Sequence, residues 1–308
     1  MRFALILCLA LLVDSIAGDP KSFPHPVILI GKAITFFQAQ LFTDTHSFIR
    51  GLVLCVITLT VTALGAGFLL YVSGCHVIVQ VYLLYSAVAW RDLKDETAPV
   101  FFSLMHNDLT NARKYLSLVV GRDTETLNAS EITRAVIETI AENSIDGVMS
   151  VIFFAAAGYV IDSSYGAGVC VWLFKAASTL DSMVGYESFH EFGRPSARLD
   201  DVLNFIPARI GGVVITLAGR KGFGVFMRDR KKHKSPNSAH GESAFAGVLG
   251  VRLGGGAYYG GKFESRPFLN ESGRDPEISD IVRAWRLLDV SCGIFAALTV
   301  IMSAGILE

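Results

Sequence analysis

The stretch GLVLCVITLTVTALGAGFLLYV, residues 51–72, decides the fold class of this chain. It carries no charged side chain and reaches the roughly 20 residues that a helix needs to cross the hydrocarbon core of a bilayer. Around it, the 308-residue chain is 52% hydrophobic and only 18% charged, with a mean hydropathy of +0.47. Soluble domains carry about 25% charged residues. The composition therefore predicts an all-α, polytopic membrane protein in contact with the lipid bilayer.

Further apolar stretches surround this one, and together they predict about six spanning helices. They lie at 1–17, 75–90, 148–161, 168–180 and 290–307. A seventh stretch, 206–219, is interrupted by Pro207 and Arg209, so we expect it to be re-entrant or interfacial. Segment 1–17 resembles a signal peptide, but Asp14 inside its apolar run favours a retained helix.

Basic residues predict the orientation of the chain. Of its 27 Lys and Arg residues, 13 lie in 220–289 and 6 in 91–147. The positive-inside rule places such loops in the cytoplasm. We therefore expect one integral membrane domain over 1–308 in the cell membrane, with long helical polar loops on the cytoplasmic side at 18–49, 91–147, 181–205 and 220–289. The net charge of −1 gives no attraction for nucleic acid.

A proline-rich turn follows the first apolar stretch. Three prolines within the segment Pro20 to Pro26 stiffen the backbone around Asp19 and His25. A rigid turn of this kind can position a ligand or a base, although it can also simply end a helix. Asp19 and His25 are therefore candidate catalytic residues.

The segment 128–147 predicts a capped helix with an acidic face. Asn128 and Glu131 have the spacing of a capping box. Glu138, Glu142 and Asp146 follow at successive i, i+4 positions, which share one helical face. Carboxylates grouped in this way are typical ligands for Mg²⁺, which also contacts phosphate. The alternative is a hydrated acidic face without a ligand.

A second group of oxygen-bearing side chains lies in 181–209. Asp200 and Asp201 each have helical spacing to Asn204, and the pattern predicts a second cation site. Arg198 and Arg209 flank it and could hold phosphate. Lys175, near the end of the preceding apolar stretch, is either a functional residue at membrane depth or a side chain that reaches the interface.

A glycine-rich segment, Gly247 to Gly256, predicts close approach of the backbone to another group. It follows Ser235, Asn237 and Glu242, and such loops can hold anions through their amides. Tight turns are the alternative. The histidines other than His25 lack the spacing of metal ligands, and we interpret them as ordinary surface or core residues.

Taken together, these motifs resemble the adenosylcobinamide-phosphate synthase family of cobalamin biosynthesis. The matching strings are GDPKSFPHPVILIGK, VGRDT, IETIAENSIDGV, TLDSMVGY, ARLDDVLNFIPARI, SPNSAHGESAFAGVLGVRLGG and YYGG. They occur in the family's order and cover most of the chain. The resemblance implies a multi-pass membrane enzyme that joins adenosylcobyric acid to aminopropanol O-phosphate or ethanolamine phosphate. It also implies ATP and Mg²⁺ as cofactors.

The resemblance and the motifs give a set of expected roles. The candidate catalytic residues are Asp19, His25, Lys175 and Asp181. Candidates for binding substrate or phosphate are Arg122, Asp123, Thr124, Asn143, Tyr186, Arg198, Asn204, Arg209, Ser235, Asn237 and Glu242. The candidate metal ligands are Glu138, Glu142, Asp146, Asp200 and Asp201.

Two other functions stay open at this stage. The pair Asp200 and Asp201 is similar to the aspartate-rich motifs of membrane prenyltransferases, which bind Mg-pyrophosphate. A transporter or sensor without enzymatic activity would use Asp14 and Lys175 to line a path. The expected partners are the corrinoid substrate, the amino-alcohol phosphate and lipid. The sequence leaves open a homo-oligomer or a complex with other enzymes of the pathway.

Overall fold

The structure, a computed structural model, describes residues 2–19, 25–42, 47–185 and 189–306. In these ranges the helices are α1 (Arg2–Ala17), α2 (Pro26–Leu41), α3 (Ser47–Val72), α4 (Val77–Tyr85), α5 (Trp90–Met105), α6 (Leu109–Leu116), α7 (Ala129–Asn143), α8 (Ser150–Ile161), α9 (Gly166–Val184), α10 (His190–Leu203), α11 (Phe205–Gly219), α12 (Phe223–Asp229), α13 (Ser238–Leu249) and α14 (Ser279–Ile306). A π-helical segment, Ser144–Met149, joins α7 to α8. The predicted all-α class is confirmed.

Four short strands interrupt the helical pattern in the glycine-rich part of the chain. They are β1 (Leu253–Gly254), β2 (Ala257–Tyr259), β3 (Lys262–Glu264) and β4 (Phe268–Leu269). β1 pairs with β4 and β2 pairs with β3, both antiparallel. The glycines of this region approach another group closely, as predicted. That group is the backbone of a neighbouring segment of the same chain. A Cβ on Gly254 would lie 2.5 Å from the carbonyl oxygen of Pro267.

The described helices include four that are long and apolar enough to span a membrane. They are Ser47–Val72, Ala129–Ile161, Gly166–Val184 and Ser279–Ser303. A fifth results if the bent pair of α10 and α11 counts as one span. Six spans are not confirmed, because α1 has 16 residues and α4 has 9. At 1.5 Å per residue, α4 covers less than half of the roughly 30 Å hydrocarbon core.

The structure also corrects the prediction made for segment 18–49. We expected a polar loop there, whereas α2 is an apolar helix of 16 residues. Residues 206–219 form most of α11, which follows α10 after a break at Asn204. The break is consistent with the re-entrant or interfacial interpretation, and also with a broken span.

The chain contacts divide it into two compact units, where the sequence predicted one domain. The first unit consists of residues 1–89, 150–204 and 298–308. Within it, α8 and α9 form a helical hairpin, and α9 also packs against α3, α4 and α10. The indole Nε1 of buried Trp172 donates a hydrogen bond of 3.0 Å to the Leu83 carbonyl. This bond connects α9 to α4.

Close backbone contact holds the α8–α9 hairpin together, and it gives a first prediction. A Cβ on Gly158 would lie 2.1 Å from the carbonyl oxygen of Gly166. This oxygen belongs to the backbone of α9, so it cannot move away unless α9 itself shifts. We expect Gly158→Ala to destabilise the protein by about 1–3 kcal/mol, as overpacking does. Thermal unfolding in detergent measures this. The control is Gly65→Ala in α3, where the new Cβ meets nothing within 4 Å. Equal melting temperatures for the two variants would contradict the prediction.

The second unit consists of residues 90–149 and 205–297. Here α13 packs against α7, α11 and α12, and α5 packs against α6 and α7. The backbones of α13 and α7 approach closely, since a Cβ on Gly241 would lie 2.6 Å from the Ala141 carbonyl oxygen. This crossing brings the acidic residues of α7 near Glu242, the next residue after Gly241.

Candidate functional site

The helix α7 begins as the sequence predicts. The Asn128 side chain accepts a hydrogen bond from the Glu131 amide, and the Glu131 carboxylate accepts one from the Asn128 amide. This confirms the capping box. It fixes the start of the helix and therefore the direction in which Glu138 projects two turns later.

Glu138 is buried and has protein partners on both carboxylate oxygens. Its Oε2 lies 2.6 Å from Nη2 of Arg122, and its Oε1 accepts a 2.7 Å hydrogen bond from the Gly254 amide. The Arg122 side chain is 15% exposed and that of Glu138 is 7% exposed. A buried ion pair of this kind needs such additional hydrogen bonds to offset the desolvation of its charges. The structure therefore uses Glu138 to hold Arg122 and the start of the strand region.

Glu242 lies on α13 beside His233. Nδ1 of His233 is 3.5 Å from Oε1 of Glu242, and both side chains are more than nine-tenths buried. Burial alone would lower the pKa of His233, but the hydrogen bond and charge of Glu242 raise it above its ordinary value. Burial raises the pKa of Glu242 more than His233 lowers it. The two buried side chains therefore influence each other's protonation through one contact, which is typical of functional sites.

These side chains surround one small pocket of the second unit. The residues that line it are Arg122, Glu138, His233, Glu242, Gly254, Gly256, Ala257, Tyr259 and Arg266. Glu142, one turn beyond Glu138, is solvent-accessible, and its charge interacts with that of Glu242. The pocket thus combines residues from four of the motifs that the sequence presents separately.

The hairpin of β2 and β3 is attached to the segment 121–124. The Asp123 carboxylate accepts hydrogen bonds from the amides of Gly260 and Gly261, at 3.0 and 2.7 Å. The Asp123 amide donates to the Tyr258 carbonyl. Both glycines have positive φ, which a tight turn at this position requires. Asp123 therefore holds the turn through both of its carboxylate oxygens.

A larger polar cavity lies beside this hairpin. Its volume is about 760 Å³, which is within the range of ligand sites. The lining residues are Ser117, Arg122, Asp123, Thr124, Glu125, Thr126, Tyr258 and Gly261. Arg122 lines both this cavity and the small pocket. The three predicted phosphate-binding residues 122–124 thus share one concave surface.

Asp146 does not continue the acidic face of α7. It lies in the π-helical segment, where each turn holds an additional residue and the i, i+4 rule no longer applies. In the part of the chain that the structure describes, no group of three or more His, Cys, Asp or Glu side chains is placed to hold a metal ion. A site made of Glu138, Glu142 and Asp146 together is therefore not formed.

The first unit holds the second predicted cluster. Asn204 donates a 3.1 Å hydrogen bond to Oδ2 of Asp200 and accepts one of 2.7 Å from Ser150. Oδ1 of Asp200 is buried and has no hydrogen-bond partner. Asp181 and Asp201 are half-buried, as is Lys175 on α9. The sequence thus predicted the pairing of Asp200 with Asn204 correctly, while Ser150 was not anticipated.

Asp19 and His25 lie close together, also in the first unit. Nε2 of His25 is 3.6 Å from Oδ2 of Asp19, and Nδ1 accepts a hydrogen bond from the Val27 amide at the start of α2. Because Nδ1 accepts, the proton of a neutral imidazole is on Nε2, facing Asp19. In this arrangement His25 has no lone pair left to act as a base. Asp19 is the better candidate of the two.

The other predicted site residues have structural partners or surface positions. Thr124 donates to the Arg113 carbonyl, and Asn143 donates to that of Thr139. Asn237 accepts from Arg209, and Ser235 accepts from the Asn237 amide. Arg198 is exposed on α10. Tyr186 lies outside the described residues. Binding roles for these residues stay predictions.

Sequence reasoning missed His233, Tyr259 and Arg266 as members of the pocket. His233 was interpreted as ordinary because it follows no metal-ligand spacing, and its partner Glu242 is on a different element. No local pattern marks Arg266, which reaches the pocket from the connection between β3 and β4. The interpretation of His240 as a core residue is confirmed, since it is fully buried against Phe226 and burial lowers its pKa to about 4.

Comparison with known proteins gives consistent matches. Residues 7–288 match the sequence profile of the family described as CobD/Cbib protein. The cobalamin biosynthesis protein CobD of Klebsiella pneumoniae subsp. pneumoniae is 38% identical over 309 residues, covering 94% of each chain. The protein of the same name from Pelobacter propionicus is 40% identical over 281 residues, covering 86% of this chain and 84% of the relative. The cobalamin biosynthesis protein CbiB of Salmonella typhimurium is 36% identical, covering 97% of each chain. No solved structure matches.

Proposed function

This chain belongs to the CobD/CbiB protein family, and from that premise we propose that it is the amide-forming ligase of cobalamin biosynthesis. The proposed reaction joins the carboxylate of adenosylcobyric acid to the amine of aminopropanol O-phosphate or ethanolamine phosphate. Its product is adenosylcobinamide phosphate. ATP hydrolysis drives the condensation, because forming an amide from a carboxylate in water is unfavourable near neutral pH.

The observation that carries the proposal is the charged pocket of the second unit. Arg122 and Glu138 pair inside it, and the His233–Glu242 pair lies on its wall. An enzyme that handles phosphorylated reactants needs fixed cationic groups for phosphate oxygens and a group that accepts a proton from the amine. Both kinds of group occur here, in a concave and largely buried place.

A Mg²⁺ ion is compatible with the donors that the chain offers. Mg²⁺ commonly uses only one or two carboxylates, with water and phosphate oxygens completing its shell. Asp200 fits this role because its buried Oδ1 has no hydrogen-bond partner. Asp200 and Asp201, both of the first unit, are the residues that would hold such an ion, and when bound it would neutralise phosphate charge.

The apolar helices indicate a membrane protein, and we propose a multi-pass protein of the cell membrane with its basic segments in the cytoplasm. If the four long helices are the only crossings, segments 73–128 and 185–278 lie on one side. Their Lys and Arg residues then place that side in the cytoplasm. The segment 18–49 lies on this side only if residues 75–90 also cross the membrane. The helix in that stretch, α4, has 9 residues and is short for a crossing.

The reaction is tested by complementation. The gene should restore cobalamin-dependent growth to a strain that lacks the amide-forming step, and mass spectrometry should find the amide product in its membranes. Asp200→Asn and Asp201→Asn should each lower turnover with ATP by about 10²-fold or more, because they would hold the ion that stabilises phosphate charge. Glu191→Gln is the control, because that exposed carboxylate on α10 pairs with exposed Arg194. Near-normal turnover of both variants would refute the metal assignment, and no amide from the wild type would refute the reaction.

A further inference from the structure

We propose that the small pocket around His233 binds the primary amine of a small amino phosphomonoester, while Arg122 and the adjoining polar cavity hold its phosphate. This rests on the proposed function, in which such a molecule is the nucleophile. The small pocket is called the His233 pocket below. It is the pocket lined by Arg122, Glu138, His233, Glu242, Tyr259 and Arg266.

The first support is the orientation of the His233 ring. Nδ1 faces Oε1 of Glu242 at 3.5 Å and Oγ of Ser238 at 3.5 Å. A carboxylate accepts the proton of Nδ1, which leaves Nε2 of a neutral imidazole with a free lone pair. Nε2 is buried and has no hydrogen-bond partner, and the side chain is only 4% exposed. A buried polar atom without a partner is costly, so its presence in a pocket points to a ligand group that donates to it.

The second support is the size of the two spaces. The His233 pocket has a volume of about 10 Å³, close to the minimum that holds one water molecule. An amine nitrogen with its hydrogens is about that size, whereas a phosphate group is much larger. The neighbouring cavity, about 760 Å³, has ample room for a phosphomonoester and shares Arg122 with the pocket. Because Arg122 lines both spaces, it is the group through which a phosphate in the cavity would be held next to an amine in the pocket.

The third support is the distribution of charge. Glu242 supplies an acidic group to the pocket, which favours an ammonium or a hydrogen-bonding amine, whereas the charge of Glu138 is paired with Arg122. Arg122 contacts Glu138 through one nitrogen, Nη2, and a guanidinium has five N–H donors. Arg266 is 42% exposed, and its ion pair with Glu264 is long, at 3.8 Å. A ligand that carries both charges matches this mixture better than a simple anion or cation.

Three probes separate the two ends of the ligand. They are O-phosphoethanolamine, ethyl phosphate, which lacks the amine, and ethanolamine, which lacks the phosphate. Binding to the full-length protein in detergent is measured by calorimetry. We expect the wild type to bind O-phosphoethanolamine at least about tenfold more tightly than ethyl phosphate, as a charge-assisted hydrogen bond allows. Ethanolamine should bind weakly. Equal affinity for O-phosphoethanolamine and ethyl phosphate would overturn the proposal.

Variants then assign the preference to His233. His233→Leu and the milder Glu242→Gln should remove the preference for the amine and leave the affinity for ethyl phosphate unchanged. A merely structural role would weaken both affinities together, which would also overturn the proposal. His106→Gln, at an exposed histidine, is the control.

Amide formation by the wild type tests the proposed function separately from the amine site. A wild type that shows the preference but forms no amide would keep the amine site and refute the reaction. A wild type that forms amide without the preference would refute the site alone.

Discussion

Glu138→Gln is expected to destabilise the second unit by about 3–5 kcal/mol, which is the usual cost of removing one partner from a buried ion pair. The glutamine keeps an oxygen for the Gly254 amide, so the main loss is the charge that neutralises Arg122. Arg122 would then be a largely buried, unpaired cation. Chemical or thermal unfolding in detergent, followed by the loss of helical signal, measures the change.

A double-variant cycle shows whether the effect belongs to the pair. Arg122→Met combined with Glu138→Gln should cost less than the sum of the two single changes, because no unpaired buried charge remains. Asp275→Asn serves as the control, since its ion pair with Arg252 is exposed and should contribute at most about 1 kcal/mol. Strict additivity of Arg122→Met and Glu138→Gln would show that the two residues act independently, contrary to the structure.

Asp229→Asn is expected to cost about 2 kcal/mol at pH 7, as the loss of hydrogen bonds to a charged group does. Asp229 is fully buried and accepts from Arg228, Lys232 and the Asn270 amide. These contacts connect the end of α12 to the residue that follows β4. The cost is smaller than for Glu138, because Arg228 and Lys232 are partly exposed and can turn towards water.

The pH dependence follows from the same contacts. Burial alone would raise the pKa of Asp229, but hydrogen bonds from Arg228, Lys232 and Asn270 hold it well below its ordinary range. A carboxyl whose folded pKa is depressed contributes stability above its unfolded pKa, about 3.9, and loses it as the pH falls towards the folded value. The difference between wild type and Asp229→Asn should therefore be largest at neutral pH and shrink below about pH 4. Glu271→Gln, at an exposed carboxylate nearby, should show no such trend. A difference that stays constant down to pH 3 would contradict this account.

Several features followed from the sequence because they depend on neighbours along the chain. The capping box at Asn128 and the long apolar helix α3 are set by residues within a few positions of each other. The pairing of Asp200 with Asn204 also follows from helical spacing. The same reasoning failed at Asp146, because it assumed a regular α-helix and the chain forms a π-helical segment there. Residue spacing alone does not reveal a π-helical turn.

The amino-acid sequence by itself determined the all-α membrane class, the family, and the motifs that contribute Arg122, Glu138 and Glu242. Those properties depend on composition and on local order. Only the tertiary structure decided that the three side chains meet in one pocket with His233, and that Asp123 holds a hairpin through its glycine amides. The reason is physical: the pocket depends on the close crossing of α13 and α7 at Gly241, and a contact between residues a hundred positions apart leaves no periodic signal in the chain.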